Sequence, residues 1–302
     1  MWLSDKWQDF ELLDCSKGEK LERWGSFYLV RPDPQAIWDT PREDERWNCR
    51  DARYRRSETG GGSWDKGGLP ASWKINYGEL TFNVKPMNFK HTGLFPEQAC
   101  NWDFAMDKIR KAGRPINVLN LFAYTGAASL AACRAGAEVT HLDSVRQVVT
   151  WARGNMELSS LDGIRWIIED ALKFARREAR RGNLYQGLIL DPPAYGHGPD
   201  GEKWKLDECL FELLQACAAI LAPKESFMVL NLYSNGYSAV LADTLVRCAF
   251  GTSFKSLEFG ELALRDRFGN EELVVAREHL PGGYDPRLRL THARPTDARR
   301  RP

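Results

Sequence analysis

From residue 114 onward the chain alternates short, continuous apolar runs with longer stretches of helical period. "INVLNLF" (116–122), "EVTHLD" (138–143), "IRWIIED" (164–170), "YQGLILD" (185–191) and "SFMVLNLY" (226–233) read as five strands. Between them lie "GAASLAACRAGA" (126–137), "VRQVVTWARGNMEL" (145–158), "ALKFARREARR" (171–181) and "KLDECLFELLQACAAIL" (205–221), whose apolar positions recur every three to four residues. "SAVLADTLVRCAF" (238–250) is a further helix. Strands without polar alternation are buried on both faces, and helices between them supply the cover, so this part is an α/β fold on a mostly parallel sheet. The closing pieces, "FKSLEFGELALRD" and "EELVVAREHL" around "RFGN", lack an intervening helix and predict an antiparallel hairpin at one edge.

The first part has another texture. Eight of the eleven tryptophans fall within the first 102 residues, in short apolar pieces broken by glycine, proline and charge. Residues 1–88 read as a small β-rich domain, 89–282 as the α/β domain with 89–113 as its entry segment, and 283–302 as a basic tail without apolar period, expected to be disordered. "ETGGGSWDKGGLP" (58–70) reads as a glycine-rich mobile loop.

Composition narrows the setting. Of 302 residues 43% are apolar and 27% charged, with a net charge of +1, as in ordinary globular chains. No apolar run has the length of a membrane span, and the opening "MWLSDKWQDFELLD" lacks the pattern of a secretory signal. The seven scattered cysteines form no C-x-x-C pair, which argues against a disulfide framework and a metal site and for a cytoplasmic location. Arginine is concentrated in "RDARYRR" (50–56), "RREARR" (176–181) and the tail. Each run alone is compatible with a solvated face; together they permit contact with a nucleic-acid backbone.

Ligands of open α/β sheets bind beyond the carboxyl ends of the strands. After strand one, Gly126 and the small residues behind it form a slim turn, which suits either close approach of a ligand or tight packing. The turn lacks the G-x-G-x-x-G spacing of a pyrophosphate site. Strand two ends in Asp143, a carboxylate able to accept from ribose hydroxyls or to cap the next helix. Strand three ends in Glu169-Asp170, suited to an adenine amino group or again to a cap. In series they describe a nucleoside site without a phosphate cradle. Strand four ends in "DPPAYG" (191–196), an acid, a rigid corner and an aromatic ring.

"NVLNLFAYTGAASLAA", "HLD", "EDALKF" and "LILDPPAYG" resemble successive motifs of class I S-adenosylmethionine-dependent methyltransferases. "FKHTGLFPEQACNW" (89–102) resembles the segment that helps close the cofactor pocket in the bacterial group containing large-subunit ribosomal RNA methyltransferases. The resemblance covers roughly residues 75 to 280 and implies a Rossmann-like class I methyltransferase sheet with a smaller N-terminal β-rich domain. It implies that S-adenosylmethionine is lined by Thr92, Phe95, Pro96 and Gln98, and that Asn120, Phe122, Tyr124, Thr125 and Gly126 surround its methionine part. Asp143 would then hold the ribose, Asp170 and Ala171 the adenine, and Asp191 the methionine amino group or the target nitrogen. Asp191 and the carbonyls of Pro192 and Pro193 would orient that nitrogen, and Tyr195 would stack on its ring. His91, beside this set, reads as structural. The product would be S-adenosylhomocysteine and the partner RNA, with ribosomal RNA first.

Relatives that methylate carbon 5 of a pyrimidine carry a cysteine at the end of strand five, because that carbon needs covalent activation. Here the position reads "NLYSNGYS" (231–238), while Cys209, Cys217 and Cys248 fall inside helices and read as core. The expectation is therefore a base nitrogen as acceptor, with an oxygen second, without a covalent cysteine intermediate, and with Tyr233, Ser234 and Asn235 as candidates for base recognition. Rival readings are methylation of a small metabolite or protein side chain, an NAD(P)-dependent oxidoreductase, and a non-catalytic RNA-binding module. The oxidoreductase would require the phosphate loop that is missing.

Overall fold

The computed structural model describes residues 1–48, 50–57, 61–87, 90–233, 238–251, 256–267, 271–272 and 287–292. The chain divides into two compact units, one built on Leu3–Ala99 and the other on Cys100–Leu262.

The second unit carries the predicted alternation. Helix α1 (Ala99–Lys111) is followed by β1 (Asn117–Leu121), α2 (Ala127–Arg134), β2 (Glu138–Asp143), α3 (Arg146–Leu158), β3 (Arg165–Ile168), α4 (Ala171–Arg181) and β4 (Gly187–Leu190). A short antiparallel hairpin, Tyr195–His197 with Lys203–Lys205, precedes α5 (Leu206–Ile220) and β5 (Phe227–Leu232). Helix α6 (Ala239–Phe250), β6 (Ser256–Arg265) and β7 (Arg287–His292) complete it. The sheet order is Trp2–Leu3, β6, β7, β5, β4, β1, β2, β3. The pairings β1–β2, β2–β3, β1–β4, β4–β5, β5–β7 and β6–β7 are all parallel.

Each helix buries the face its sequence marks. In α4 these are Ala171, Phe174, Ala175 and Glu178, the i, i+3, i+4, i+7 stripe. In α5 they are Leu206, Leu210, Leu213, Leu214, Cys217 and Ile220. These pack with Leu119 and Leu121 of β1, Leu188 and Leu190 of β4, and Met228 and Leu230 of β5 into one apolar core. Helix α4 starts at Asp170, whose carboxylate accepts from the Lys173 N–H at 2.8 Å, and stops at the left-handed Gly182.

The first unit is β-rich, as expected. Five strands, Phe10–Ser16, Glu19–Trp24, Phe27–Pro32, Ala52–Arg56 and Gly62–Lys66, form one sheet, and Trp73–Tyr77 pairs with Leu80–Val84 as a hairpin. The stretch 58–70, read as a loop, contains the strand Gly62–Lys66, so that reading is corrected. Its pairing with Ala52–Arg56 is what makes it a strand. Gly62 permits the approach, since a Cβ there would lie 2.1 Å from the Arg55 carbonyl oxygen. Residues 58–60 lie outside the described residues.

Two boundaries also differ from expectation. The segment up to Ala99 groups with the N-terminal unit, not with the α/β unit. Residues 287–292, inside the expected tail, form β7 between β5 and β6; "RLRLTH" has the two-residue period of a strand, but in too short a run to stand out. The expected edge hairpin is represented by the antiparallel pairs Leu264–Glu272 and Arg265–Glu271. The other residues of 283–302 lie outside those described.

Candidate functional site

Strand order reverses between β1 and β4, because the chain runs outward through β2 and β3 and then returns to the other side of β1. In an open α/β sheet this is where a crevice forms at the carboxyl ends. The Asp191 N–H lies 3.4 Å from the Leu121 carbonyl oxygen there, joining the two strand ends.

The β1–α2 loop is held in an unusual backbone. Phe122 and Tyr124 have φ of 56° and 49°, and Gly126 has φ of 91°. Two non-glycine residues in the left-handed region within three positions store strain of the kind found at ligand sites. Buried polar contacts pin the loop. Asn155 of α3 donates to the Thr125 carbonyl at 3.0 Å. Asn120 donates to Ser129 Oγ at 2.9 Å, and that oxygen lies 3.0 Å from His141 Nδ1. Burial, helped by the Arg153 charge, pushes the His141 imidazole down to about 3, so it is neutral at physiological pH.

This geometry sorts the five loop residues. Asn120 and Thr125 are inside the core, at 2% and 1% exposure. A Cβ on Gly126 would lie 2.9 Å from Ala152 Cβ, so the missing side chain makes room for α3. Phe122 and Tyr124 are half-buried and form the open edge of the loop.

Asp143 follows at the end of β2. Its Oδ2 accepts from the Tyr124 N–H and its Oδ1 from the Val145 N–H, both at 2.9 Å. Burial raises its carboxyl, opposed by these backbone hydrogen bonds. Each carboxylate oxygen has two acceptor positions, so the pair bonded to the backbone leaves capacity for hydroxyl donors. This acceptor set has the chemistry that a vicinal diol would need. Asp170 is the N-cap of α4 with Ala171 buried behind it; Glu169 pairs with Arg177.

The Asp-Pro-Pro corner ends β4. Asn231, buried in β5, donates to Asp191 Oδ1 at 2.7 Å. Pro192 is buried and Pro193 exposed. The Pro193 carbonyl accepts from Trp204 Nε1 at 2.6 Å, which fixes its direction and leaves its second lone pair. Trp204 is itself buried and packs on Phe122, with ring centroids 4.8 Å apart. Tyr195 opens the hairpin at 56% exposure, its hydroxyl 3.1 Å from His197 Nε2. Asn155, Ser129, Trp204 and Asn231 all support this region. None was visible as such in the sequence, since each acts through a tertiary contact.

Thr92, Phe95, Pro96 and Gln98 belong to the other unit. There Thr92 is fully buried, its Oγ1 without a hydrogen-bond partner among the described residues, and the Pro96 carbonyl accepts from Trp7 Nε1 at 2.9 Å. The Phe95 ring lies 5.2 Å from that of His91, whose imidazole burial, Arg31 and Lys90 push down to about 3. Tyr233 is half-buried at the end of β5; Ser234 and Asn235 lie outside the described residues. Cys217 is buried in α5, its thiol pushed up to about 12 by burial. Cys209 is half-buried, but Cys248 is exposed on α6, so it is not the core position it was read as.

Residues 36–232 match the profile of the S-adenosylmethionine-dependent methyltransferase family. Ribosomal RNA large subunit methyltransferase K/L of Shewanella frigidimarina is 30% identical over 154 residues, 50% of this chain and 21% of that protein. Ribosomal RNA large subunit methyltransferase I of Aeromonas salmonicida is 34% identical over 111 residues, 36% of this chain and 27% of that protein. This chain thus spans about a quarter or less of the length of these curated relatives. The crystal structure of the SAM-dependent methyltransferase from Agrobacterium tumefaciens is 36% identical with a TM-score of 0.80, covering 88% of this chain and 87% of that one. A parallel sheet with its switch point at β1 and β4, a carboxylate ending β2 and an Asp-Pro-Pro corner ending β4 therefore sit in a chain that belongs to the S-adenosylmethionine-dependent methyltransferase family.

Proposed function

We propose that this chain transfers a methyl group from S-adenosylmethionine to a nitrogen of an RNA base, with ribosomal RNA as the first candidate, and without a covalent cysteine intermediate. The observation that carries the reading is the β4 corner, where the Asp191 carboxylate, fixed by Asn231, stands four residues before the exposed ring of Tyr195. When bound, the cofactor supplies an electrophilic methyl group and leaves as S-adenosylhomocysteine. The residues that would hold it are Phe122, Tyr124, the backbone at Gly126, Asp143 and the Asp170–Ala171 turn, all within the second unit.

The protein's task is then to present the acceptor nitrogen in line, ~3 Å from the methyl carbon, and keep it there. Asp191 accepts hydrogen bonds from the amino group and aims its lone pair. Tyr195 stacks on the planar base, a contact worth ~1–3 kcal/mol in single-stranded recognition. Carbon 5 of a pyrimidine would need a thiolate. The described end of β5, Asn231-Leu232-Tyr233, has none, and Cys217 is buried and protonated. The relatives named for ribosomal RNA support an RNA acceptor.

Mass spectrometry of nucleosides from ribosomal RNA of a strain lacking this gene tests the reading directly. One methylated nucleoside should disappear, and the purified chain should restore it with release of S-adenosylhomocysteine. Unchanged RNA moves the activity to a metabolite or protein acceptor. A covalent adduct with RNA containing a 5-fluoropyrimidine would refute the nitrogen assignment.

A further inference from the structure

The arginine-rich runs are alike in sequence and differ in the fold. In 176–181, Arg176 pairs with Glu212, Arg177 with Glu169 and Arg181 with Glu178. Three of the four charges there are already met by carboxylates of their own unit.

The run 50–56 is arranged differently. Along the strand Ala52–Arg56, Ala52 and Tyr54 are buried, which puts Arg53 and Arg55 together on the opposite face. Arg42 joins them from a preceding loop, because Arg42 and Arg53 share a single carboxylate, Glu19, at 2.8 and 3.4 Å. Arg50 is tethered by the Trp47 carbonyl at 3.3 Å, and Arg42 lies over the Trp47 ring, 4.1 Å from its centroid. Among the described residues Arg55 has one distant partner, Asp65 at 3.7 Å, and both side chains are more than half exposed. Among the described residues, two carboxylates, Glu19 and Asp65, pair with this group of four guanidinium groups. Burial and the charges of Arg50, Arg42 and Arg55 hold the Arg53 guanidinium below its usual range, only Glu19 opposing them. A like-charge cluster held by short tethers is costly unless an anion covers it.

We propose that Arg42, Arg50, Arg53 and Arg55 form the surface on which the phosphate backbone of the RNA substrate lies. The inference rests on the RNA reading above and adds where the strand is held. Planar guanidinium forks match phosphate oxygens in pairs, and the surface carries charge rather than base-reading groups, so it should position RNA without selecting sequence.

The test is binding of the full chain to a fluorescein-labelled oligoadenylate by anisotropy, across a series of salt concentrations. Each lost phosphate contact lowers the slope of log K against log[salt] by about 0.7 for a single strand. The variant R50A/R55A should therefore lose about 1.4 from the slope, and R50K/R55K should regain it, which separates charge from folding. R176A/R181A removes the same charge from paired arginines and should leave the slope unchanged. S-adenosylhomocysteine affinity, measured by calorimetry, should be equal in all four proteins. An unchanged slope in R50A/R55A with intact S-adenosylhomocysteine binding overturns this surface and leaves the methyl-transfer reading standing. Failure of the unaltered chain to bind S-adenosylhomocysteine would instead remove that reading. Preferential displacement of the oligoadenylate by polyglutamate would assign the surface to an acidic protein and overturn the proposal equally.

Discussion

The indole N–H of Trp204 donates to the carbonyl oxygen of Pro193 at 2.6 Å, while the same ring packs on Phe122. One buried side chain thus ties the Asp-Pro-Pro corner to the β1–α2 loop, the two segments to which the proposed function assigns acceptor and cofactor. Replacing Trp204 with Phe keeps the ring and removes the hydrogen bond. Misplacement by about 1 Å costs on the order of a hundredfold in rate. We expect kcat of W204F to fall about tenfold to a hundredfold, with S-adenosylhomocysteine affinity little changed. Unaltered kcat would show that the tether does not position the corner.

Asp143 accepts two backbone N–H groups, from Tyr124 and Val145. An amide at this site would turn a donor toward one of them and lose the charge. Hydrogen bonds to charged groups contribute about 1.5–3 kcal/mol, so D143N should bind S-adenosylhomocysteine roughly tenfold to a hundredfold more weakly by calorimetry. Equal affinity would remove Asp143 from the ribose site.

Gly126 combines φ of 91° with a Cβ position 2.9 Å from Ala152. Gly126→Ala should cost about 1–3 kcal/mol from backbone strain, with overpacking against α3 added. Urea unfolding measures this through the midpoint. A midpoint equal to that of the parent would mean that the turn relaxes.

His141 binds a proton near pH 6.5 when unfolded but only near 3 when folded, because burial and Arg153 oppose its charge. The unfolded state therefore holds more protons between these values. Its contribution to stability is complete above about pH 6.5 and is lost as the pH falls toward 3, with on the order of 5 kcal/mol at stake. The stability difference between parent and H141Q should shrink or reverse across that window. A difference constant from pH 7 to 4 would contradict it.

Lys90 is pushed down to about 7, first by burial and then by Lys20, with Arg31 and Arg56 adding to it and Asp33 opposing. Its Nζ has the Pro32 carbonyl at 3.4 Å. Removing a buried, repelled charge should stabilise, so K90M should melt higher than the parent at pH 7. A lower melting temperature would mean that the charge is satisfied in place.

From β1 through α6 the alternation of main strands and helices follows from local pattern alone, while β7 does not. Continuous apolar runs such as "LILD" bury both faces of a strand, and stripes such as Ala171, Phe174, Ala175 and Glu178 bury one face of a helix, whatever surrounds them. The motif residues Asp143, Asp170 and Asp191 were legible for the same reason, since each marks the end of a strand. Tertiary structure decided what depends on residues distant in sequence. It put Asn120 and Thr125 in the core, gave the Pro193 carbonyl to Trp204, and turned a glycine-rich stretch into the strand Gly62–Lys66. It also separated two arginine runs that read alike, because a charge is neutralised by whichever carboxylate the fold brings near it, and no local pattern in the chain encodes that distance.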